Sequence, residues 1–315
     1  MPHERVFAAC APGLEPLLAA ELRELGLEAR PIPGGAEAEG EDAVAVACLG
    51  SRLADALSLR LYEGPERGLD RARAEARRRY GAEARPVARV RGAAATLSLD
   101  AAGAPLYKRG YRERIGAAPL RETVAAALLR FGGFDPARPL LDPMCGSGTV
   151  PIEAALIAAG RAPGAGRAFA FERWPGHDAS RTAAVRARLE VRPRAPGAAI
   201  QASDRNAGAL RLAQKNAAAA GVGAAIAFAR ADARGVTPPQ GPGLCAVNPP
   251  FGVRIDEGAA EAWEALAALV PRLAGWTLAL VAPERGWERS LPARPAAELP
   301  FVDGGLACKL LRYQL

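Results

Sequence analysis

Two short stretches hold most of the chemistry in this sequence: LLDPMCGSGTV, from Leu140 to Val150, and NPPFG, from Asn248 to Gly252. The first predicts a strand ending at Asp142, a Gly-rich turn through Met144, Cys145, Gly146, Ser147 and Gly148, and a helix starting near Thr149. Glycines there let backbone amides approach a ligand at a strand's carboxyl end. No Gly-Lys-Ser/Thr follows, and Pro151 stands where a dinucleotide fingerprint has its third glycine, which disfavours a phosphate ligand. An acidic strand end suits a cation instead, such as the amino-acid ammonium of S-adenosylmethionine. Two more predicted strands end in Ser203-Asp204-Arg205 and Ala231-Asp232-Ala233. A carboxylate at Asp204 can accept both hydroxyls of a ribose, and one at Asp232 can recognise an adenine amino group. Taken singly, each aspartate is equally readable as a helix cap or turn former.

The NPPFG loop turns these strand ends into a site. A structural turn could use Pro-Pro-x-Gly but has no need of Asn248 before it or Phe251 after it. The exocyclic amine of guanine or adenine is a poor nucleophile, because its lone pair is delocalised into the ring. The Asn248 side-chain oxygen and the Pro249 carbonyl could accept its two hydrogens while nitrogen attacks a sulfonium methyl, and Phe251 could stack on the base. Pro249 and Pro250 lack N–H donors and stiffen the loop. Cys145, the rival nucleophile, lies in the Gly-rich loop and reads as packing or cofactor contact, and His177 is given no role. Five scattered cysteines without a CxxC pair and only two histidines argue against a disulfide framework or a metal centre.

The elements that must position these groups follow from periodicity. From Pro119 onward, helices alternate with short apolar strands: helices 119–131, 149–159, 206–220 and 258–274, and strands 139–141, 199–203, 225–229, 244–247 and 277–282. Such alternation predicts a mostly parallel sheet with helices on both faces, closed by a hairpin through Asp303-Gly304-Gly305 that supplies an antiparallel edge. Arg161–Pro196 reads as an insertion. Ahead of this lies a small α+β module with a strand at 5–10, a helix carrying Leu14, Leu18, Leu22 and Leu25, and a helix at 69–79. A hairpin is expected over 85–107, turning near Asp100–Gly103, with Thr96, Leu97 and Leu99 in its first arm. Ala43–Leu49 alternates like a strand, yet Asp42 is also a good N-cap, so both states remain open. The expected division is an N-terminal module over 1–112 and a catalytic domain over 113–315.

With 315 residues, 50% hydrophobic and 24% charged, the composition is that of a globular chain. No apolar run has the roughly 18 to 20 residues of a membrane span, so a cytoplasmic monomer is expected. The net charge of +7 is segregated: residues 1–50 carry three basic and nine acidic groups, and Ser51–Gly116 fifteen basic and eight acidic. Arg77, Arg78, Arg79, Arg85, Arg89, Arg91, Lys108, Arg109, Arg112 and Arg114 could follow a phosphate backbone, with Tyr107 and Tyr111 stacking on bases. The plain alternative is a solvated helix face followed by an arginine-decorated strand edge.

Taken together, these residues resemble the class I S-adenosylmethionine-dependent methyltransferases and, more narrowly, the THUMP-containing RNA methyltransferases. The likeness is strongest to the N-terminal, guanine-N2 half of the bacterial 23S rRNA methyltransferases. It rests on YKRGYRERIGAAPLRETVAAALL, LLDPMCGSGTVPIEAALIAAGRAPG, ASDRNAGALRLAQKNAAAAGV, the insertion FAFERWPGHD and NPPFGVRI, which usually has Tyr where this chain has Phe251. The resemblance implies a Rossmann-like fold of seven strands with the last antiparallel, and cofactor contacts at Thr123, Asp142, Met144, Gly146, Gly148, Asp204 and Asp232. Neighbouring Cys145, Ser147, Thr149, Arg205 and Ala233 are expected beside them. It further implies amine contacts at Asn248 and Pro249, and places Lys108, Arg109, Arg112, Arg114 and Arg254 toward RNA. VFAACAPGLEPLLAAELRELG resembles the ferredoxin-like module that precedes THUMP, but Leu61–Arg85 is too short for a full THUMP domain.

The expected activity is methyl transfer to the N2 amine of a guanosine in RNA, with 23S rRNA favoured and tRNA an alternative. Adenine-N6 and protein glutamine methyltransferases share such a loop, and a non-catalytic RNA-binding assembly factor is the rival of another class.

Overall fold

The computed structural model describes residues 3–81, 84–112, 120–190, 197–250, 257–287, 290–291 and 294–315. In chain order the first half runs β1 (His3–Ala9), α1 (Glu15–Glu24), β2 (Glu28–Ile32), β3 (Gly35–Glu41), α2 (Ala43–Gly50), β4 (Ala56–Pro65), α3 (Leu69–Tyr80), β5 (Val87–Arg91) and β6 (Ala94–Asp100). The second half runs α4 (Glu122–Gly132), β7 (Leu140–Asp142), α5 (Thr149–Ala158), α6 (Ala179–Leu189), β8 (Ile200–Asp204), α7 (Ala207–Ala219), β9 (Ile226–Arg230), β10 (Leu244–Val247), α8 (Glu257–Leu269), β11 (Thr277–Pro283), β12 (Ala297–Asp303) and β13 (Leu306–Gln314).

The first unit is a six-stranded antiparallel sheet in the order β2-β3-β1-β4-β6-β5. Its core is set by Leu18 and Leu22 of α1 and by alternate strand residues such as Val6, Ala8, Leu57 and Leu59. The ambiguous stretch after Asp42 is helical, and Ala43 through Leu49 are all buried. An element that is apolar all round shows no helical stripe, which is why its period could not separate helix from strand. Asp42 stands at the N-cap position with φ +54° and makes no side-chain cap bond.

The hairpin of β5 and β6 corrects the sequence reading. It turns at Gly92 and Ala93, where Arg91 pairs with Ala94 and Gly92 takes φ +59°, so Thr96, Leu97 and Leu99 lie in its second arm. Asp100 does have a turn role, since its Oδ1 accepts the N–H groups of Ala102 and Gly103 at 3.0 and 3.2 Å, but no hairpin closes there.

The second unit is a seven-stranded sheet in the order β12-β13-β11-β10-β7-β8-β9. β9, β8, β7, β10 and β11 are parallel neighbours, and β13 is antiparallel to both β11 and β12. The closing hairpin of β12 and β13 therefore supplies the expected antiparallel edge, with β12 outermost and β13 between β12 and β11. One side of the sheet is filled by Leu266, Leu269, Leu273, Trp276, Leu278, Leu280 and Tyr313. Among the described residues no helix is long and apolar enough to cross a membrane.

The two units interleave along the chain. Glu15–Arg109 and Ala162–Val191 belong to the first, together with residues up to Cys10; Ala11–Leu14, Gly110–Arg161 and the chain from Arg192 belong to the second. A single cut at 112 makes no provision for either excursion. Ala162–Val191 is held in the first unit by the Gly164 N–H donating to the Leu49 carbonyl at 3.0 Å, and the Phe171 N–H to that of Ala101 at 3.1 Å. A Cβ on Gly164 would stand 2.7 Å from Leu49 Cα, so only glycine allows this approach. At the other excursion, the Val302 N–H donates to the Pro12 carbonyl at 2.8 Å.

Candidate active site

The carboxyl ends of β7, β8 and β10 open onto a cavity of about 300 Å3 in the second unit. This is where an open α/β sheet presents its ligand crevice, and its size is at the lower end of the roughly 300–1,000 Å3 typical of ligand pockets. Asp142, Met144, Cys145, Gly146, Ser147, Thr149, Asp204, Arg205, Asp232, Ala233, Asn248 and Pro250 all line it. Three strand ends and the two motif loops thus converge on one wall. Leu120, Val150, Ala262 and Ala265 supply apolar surface.

Hydrogen bonds fix the loop after β7. The Cys145 N–H donates to the Ser203 carbonyl at 2.9 Å, the Gly146 N–H to Asp204 Oδ2 at 2.9 Å, and the Gly148 N–H to the Cys145 carbonyl at 2.7 Å. Gly146 and Gly148 adopt φ +52° and +84°, a region glycine enters without penalty. Asn216, on the buried side of α7, donates through Nδ2 to the Ser147 carbonyl at 3.0 Å. Sequence reasoning missed Asn216; its signal was one polar residue on the stripe formed by Leu210, Ala213 and Ala217.

Asp142 is only 1% exposed, and burial, with the neighbouring Asp204 carboxylate, raises its pKa to about 8 despite the Met144 N–H donated at 3.1 Å. A buried acid so placed is primed for a cation, whose charge would restore the ionised form. Burial, then Asp142 and Asp204, push the Cys145 thiol far above its ordinary range, which leaves it protonated and unfit as a nucleophile. Asp232 does act as a cap, accepting the Arg234 N–H at 2.9 Å, and its Oδ2 lies 3.5 Å from the Arg234 guanidinium. The Arg205 guanidinium pairs with Glu261 at 2.6 Å.

Asn248 stands at the end of β10 with its Oδ1 buried and without a hydrogen-bond partner among the described residues. A buried amide oxygen is costly to leave without a donor, and this one lies in a residue of the cavity wall. Pro249 is buried and Pro250 exposed. Thr123 is buried in α4 and, like Gly148 and Pro249, is not part of the cavity wall. Phe251, Arg254 and Arg114 lie outside the described residues.

The arginines assigned to RNA separate into different roles. Arg112 Nη2 donates to the Leu120 carbonyl and, at 2.5 Å, to Thr149 Oγ1, while its Nε lies 3.3 Å from Glu122 Oε1. Arg109 donates to the carbonyls of Leu106 at 2.7 Å and Arg52 at 2.6 Å. Both guanidiniums are spent on internal acceptors, which corrects their assignment to phosphate. Tyr111 is buried, with its hydroxyl 3.3 Å from Glu153, and cannot stack on a base. Lys108 remains exposed.

A seven-stranded sheet with one antiparallel strand, a Gly-rich turn after the first parallel strand and acidic ends on the next two define a class I methyltransferase fold. Residues 109–310 match the RMKL-like methyltransferase domain, and the chain belongs to that family; residues 5–56 match the RlmL ferredoxin-like domain. The chain is 38% identical over 230 residues to the ribosomal RNA large subunit methyltransferase K/L of Pseudoalteromonas atlantica, an alignment covering 70% of this chain and 32% of that protein. It thus spans about a third of the length of that relative. Among solved structures, a possible methylase from Clostridium difficile 630 superposes with a TM-score of 0.89 at 24% identity, covering 99% of this chain and 98% of the other. SMU.472, provisionally a methyltransferase and complexed with SAH, superposes with a TM-score of 0.88 at 22% identity, covering 100% and 98%.

Proposed function

We propose that this chain is an S-adenosylmethionine-dependent RNA methyltransferase acting on the N2 amine of a guanosine, with ribosomal RNA as the favoured substrate. The observation that carries the reading is the buried Oδ1 of Asn248, without a hydrogen-bond partner among the described residues, in a cavity that Asp142 and Asp204 also line. When bound, the cofactor supplies a methyl group on a positively charged sulfur. The residues present suit it: Asp142 for the ammonium, Asp204 for the ribose hydroxyls, Asp232 for the adenine amine, and the turn at Cys145–Gly148 for close backbone contact. The fold neighbour SMU.472 is complexed with SAH, and the relative from Pseudoalteromonas is named for ribosomal RNA of the large subunit.

The chain's own part in the reaction is to make a weak nucleophile available. Asn248 Oδ1 and the Pro249 carbonyl accept the two hydrogens of the target amine, which localises the nitrogen lone pair as the new bond forms. Proline on both sides of the Pro249 peptide holds those acceptors in place beforehand. Phe251, which follows Pro250 in the sequence, is assigned by residue type to stack on the base. The apolar wall formed by Leu120, Val150, Ala262 and Ala265 limits water around the reacting groups.

The test is methylation of rRNA and tRNA with radiolabelled cofactor, followed by mass spectrometry of the nucleosides. N2-methylguanosine is expected in rRNA, and Asn248→Ala should abolish it with cofactor affinity kept. N6-methyladenosine as the sole product would overturn the base assignment. Full turnover by Asn248→Ala would overturn the site.

A further inference from the structure

A second concavity, of about 420 Å3, lies wholly within the first unit, where the start of β1, the end of α3 and the segment leading into α6 meet. Tyr80 and Trp174 line it, edge to face with 5.0 Å between ring centroids, and Trp174 in turn meets Phe171 edge to face at 6.4 Å. An aromatic cluster that only seals a fold is closed, and Phe169 and Phe171 behave so, at 1% and 5% exposed. Tyr80 and Trp174 do not: both stay half-buried in the wall of an open cavity.

The same wall carries Arg79, exposed, with its guanidinium 5.4 Å from the Tyr80 ring centroid. Along α3, Arg73 and Arg78 are tied to Asp70 and Glu75, whereas Arg71, Arg77 and Arg79 are exposed and have no ion pair among the described residues. Guanidiniums without an ion pair among the described residues, beside half-buried aromatic rings that line an open cavity, are what a nucleic-acid strand needs: cations for phosphates, rings for bases.

We propose that this cavity is a nucleotide subsite for single-stranded RNA, with one base stacked against Trp174 and Tyr80 and the flanking phosphates held by Arg77 and Arg79. Charge decides which part of the nucleotide enters. Glu4 and Asp42 stand in the wall, Asp42 holds Arg181 at 2.6 Å, and Arg5 and Arg60 are paired with Glu37, so a phosphate beside those carboxylates is opposed, whereas Arg79 in the same wall has no ion pair among the described residues and is the cation left for a phosphate. A neutral base meets no such opposition, and the amino groups of bases can donate to a carboxylate. An acidic peptide would be drawn to the arginines but gains little from the rings. This inference rests on RNA as the substrate and extends that reading to a site with no part in methyl transfer.

The test titrates the full chain into a labelled single-stranded RNA of about twelve nucleotides, a length within the usual site sizes, followed by fluorescence anisotropy across a range of salt. Trp174→Ala should weaken binding about tenfold or more, and Trp174→Phe, which keeps a ring, should retain most of it. Arg79→Ala should flatten the slope of log affinity against log salt by about 0.7. Far-UV circular dichroism and thermal melting verify that each variant is folded. In the unaltered protein, 4-thiouridine RNA should photocrosslink to the peptides containing Tyr80 or Trp174. Unchanged affinity in both alanine variants, crosslinks confined to other peptides, or displacement by an acidic peptide and not by RNA would overturn the subsite. RNA binding that depends on Trp174, in a chain that methylates no RNA, would uphold the subsite and count against the proposed activity. Methylation that continues while affinity is unmoved by either variant would do the reverse.

Discussion

The backbone N–H of Gly146 donates to Oδ2 of Asp204 at 2.9 Å, tying the turn after β7 to the end of β8. The other oxygen, Oδ1, accepts the Asn206 N–H at 2.8 Å at the start of α7. One carboxylate therefore shapes the loop, opens a helix and forms part of the cavity wall. Asp204→Ala is expected to weaken cofactor binding at least tenfold and to destabilise the fold by about 1–3 kcal/mol, because two N–H groups lose their acceptor. Asp204→Asn, which keeps one acceptor oxygen, should fall between the two proteins in both calorimetry and thermal melting. A binding defect with no loss of stability would show that the loop does not depend on this bond.

Asp142 makes cofactor binding depend on pH. With its pKa raised to about 8, the free protein holds a proton there at neutral pH, and a cationic ligand that needs the carboxylate must displace it. Affinity for the cofactor should rise close to tenfold per pH unit from about 6 to 8 and level off above, and Asp142→Asn should remove that slope. Stability of the free protein runs the other way. The raised pKa means that the native state keeps a proton the unfolded chain gives up above its ordinary value of 3.8, so this contribution is complete at low pH and is lost as pH rises through 8. Asp142→Asn should thus raise the melting temperature at pH 8 to 9, with the gain shrinking toward pH 5.

Much of the second unit can be read directly from the residues, because βα alternation and strand-end aspartates are local signals. Asp142 and Asp204 end β7 and β8, and Asp232 and Asn248 lie just beyond β9 and β10, so all four line one cavity. What resisted reading depends on distant partners. Arg109 and Arg112 look alike in sequence to Arg77 and Arg79, and only the carbonyls and hydroxyl that meet them decide that the first pair is internal. The return of Ala162–Val191 to the first unit rests on a glycine packed against Leu49, which no periodicity reports. The hairpin turn was masked by stronger turn chemistry at Asp100–Gly103, whose carboxylate serves a bend beyond β6.

Arg112 holds two residues of the cavity wall, Leu120 and Thr149, and pairs with the buried Glu122. Arg112→Ala should destabilise the fold by about 1–3 kcal/mol, because its ion pair with Glu122 and its hydrogen bonds to the Leu120 carbonyl and Thr149 Oγ1 are lost. Cofactor affinity should fall with it. The salt dependence of RNA binding should not move, since this guanidinium is occupied inside the protein. Lys108→Ala is the converse case, with stability unchanged and a flatter salt slope if this exposed cation meets phosphate. Denaturant melts and anisotropy titrations on the two variants separate the roles.

Gly146 and Gly148 are two residues apart, both at positive φ, and replacing each with alanine should fail for a different reason. A Cβ on Gly148 would meet Ala213 Cβ at 3.0 Å, Ala213 Cα at 3.2 Å and Ile152 Cδ1 at 3.2 Å, so the loop would be pushed away from α7. A Cβ on Gly146 would meet no protein atom within 4 Å, although Gly146 lines the cavity. Gly148→Ala adds collision to a left-handed backbone and should destabilise the fold by about 2–4 kcal/mol. Gly146→Ala carries only the backbone term, about 1–2 kcal/mol, but its methyl group would occupy space reserved for ligand. Its cofactor affinity should therefore fall by a larger factor than that of Gly148→Ala measured below the latter's melting temperature. Equal losses of affinity would mean that the turn binds through its overall shape and not through close approach at Gly146.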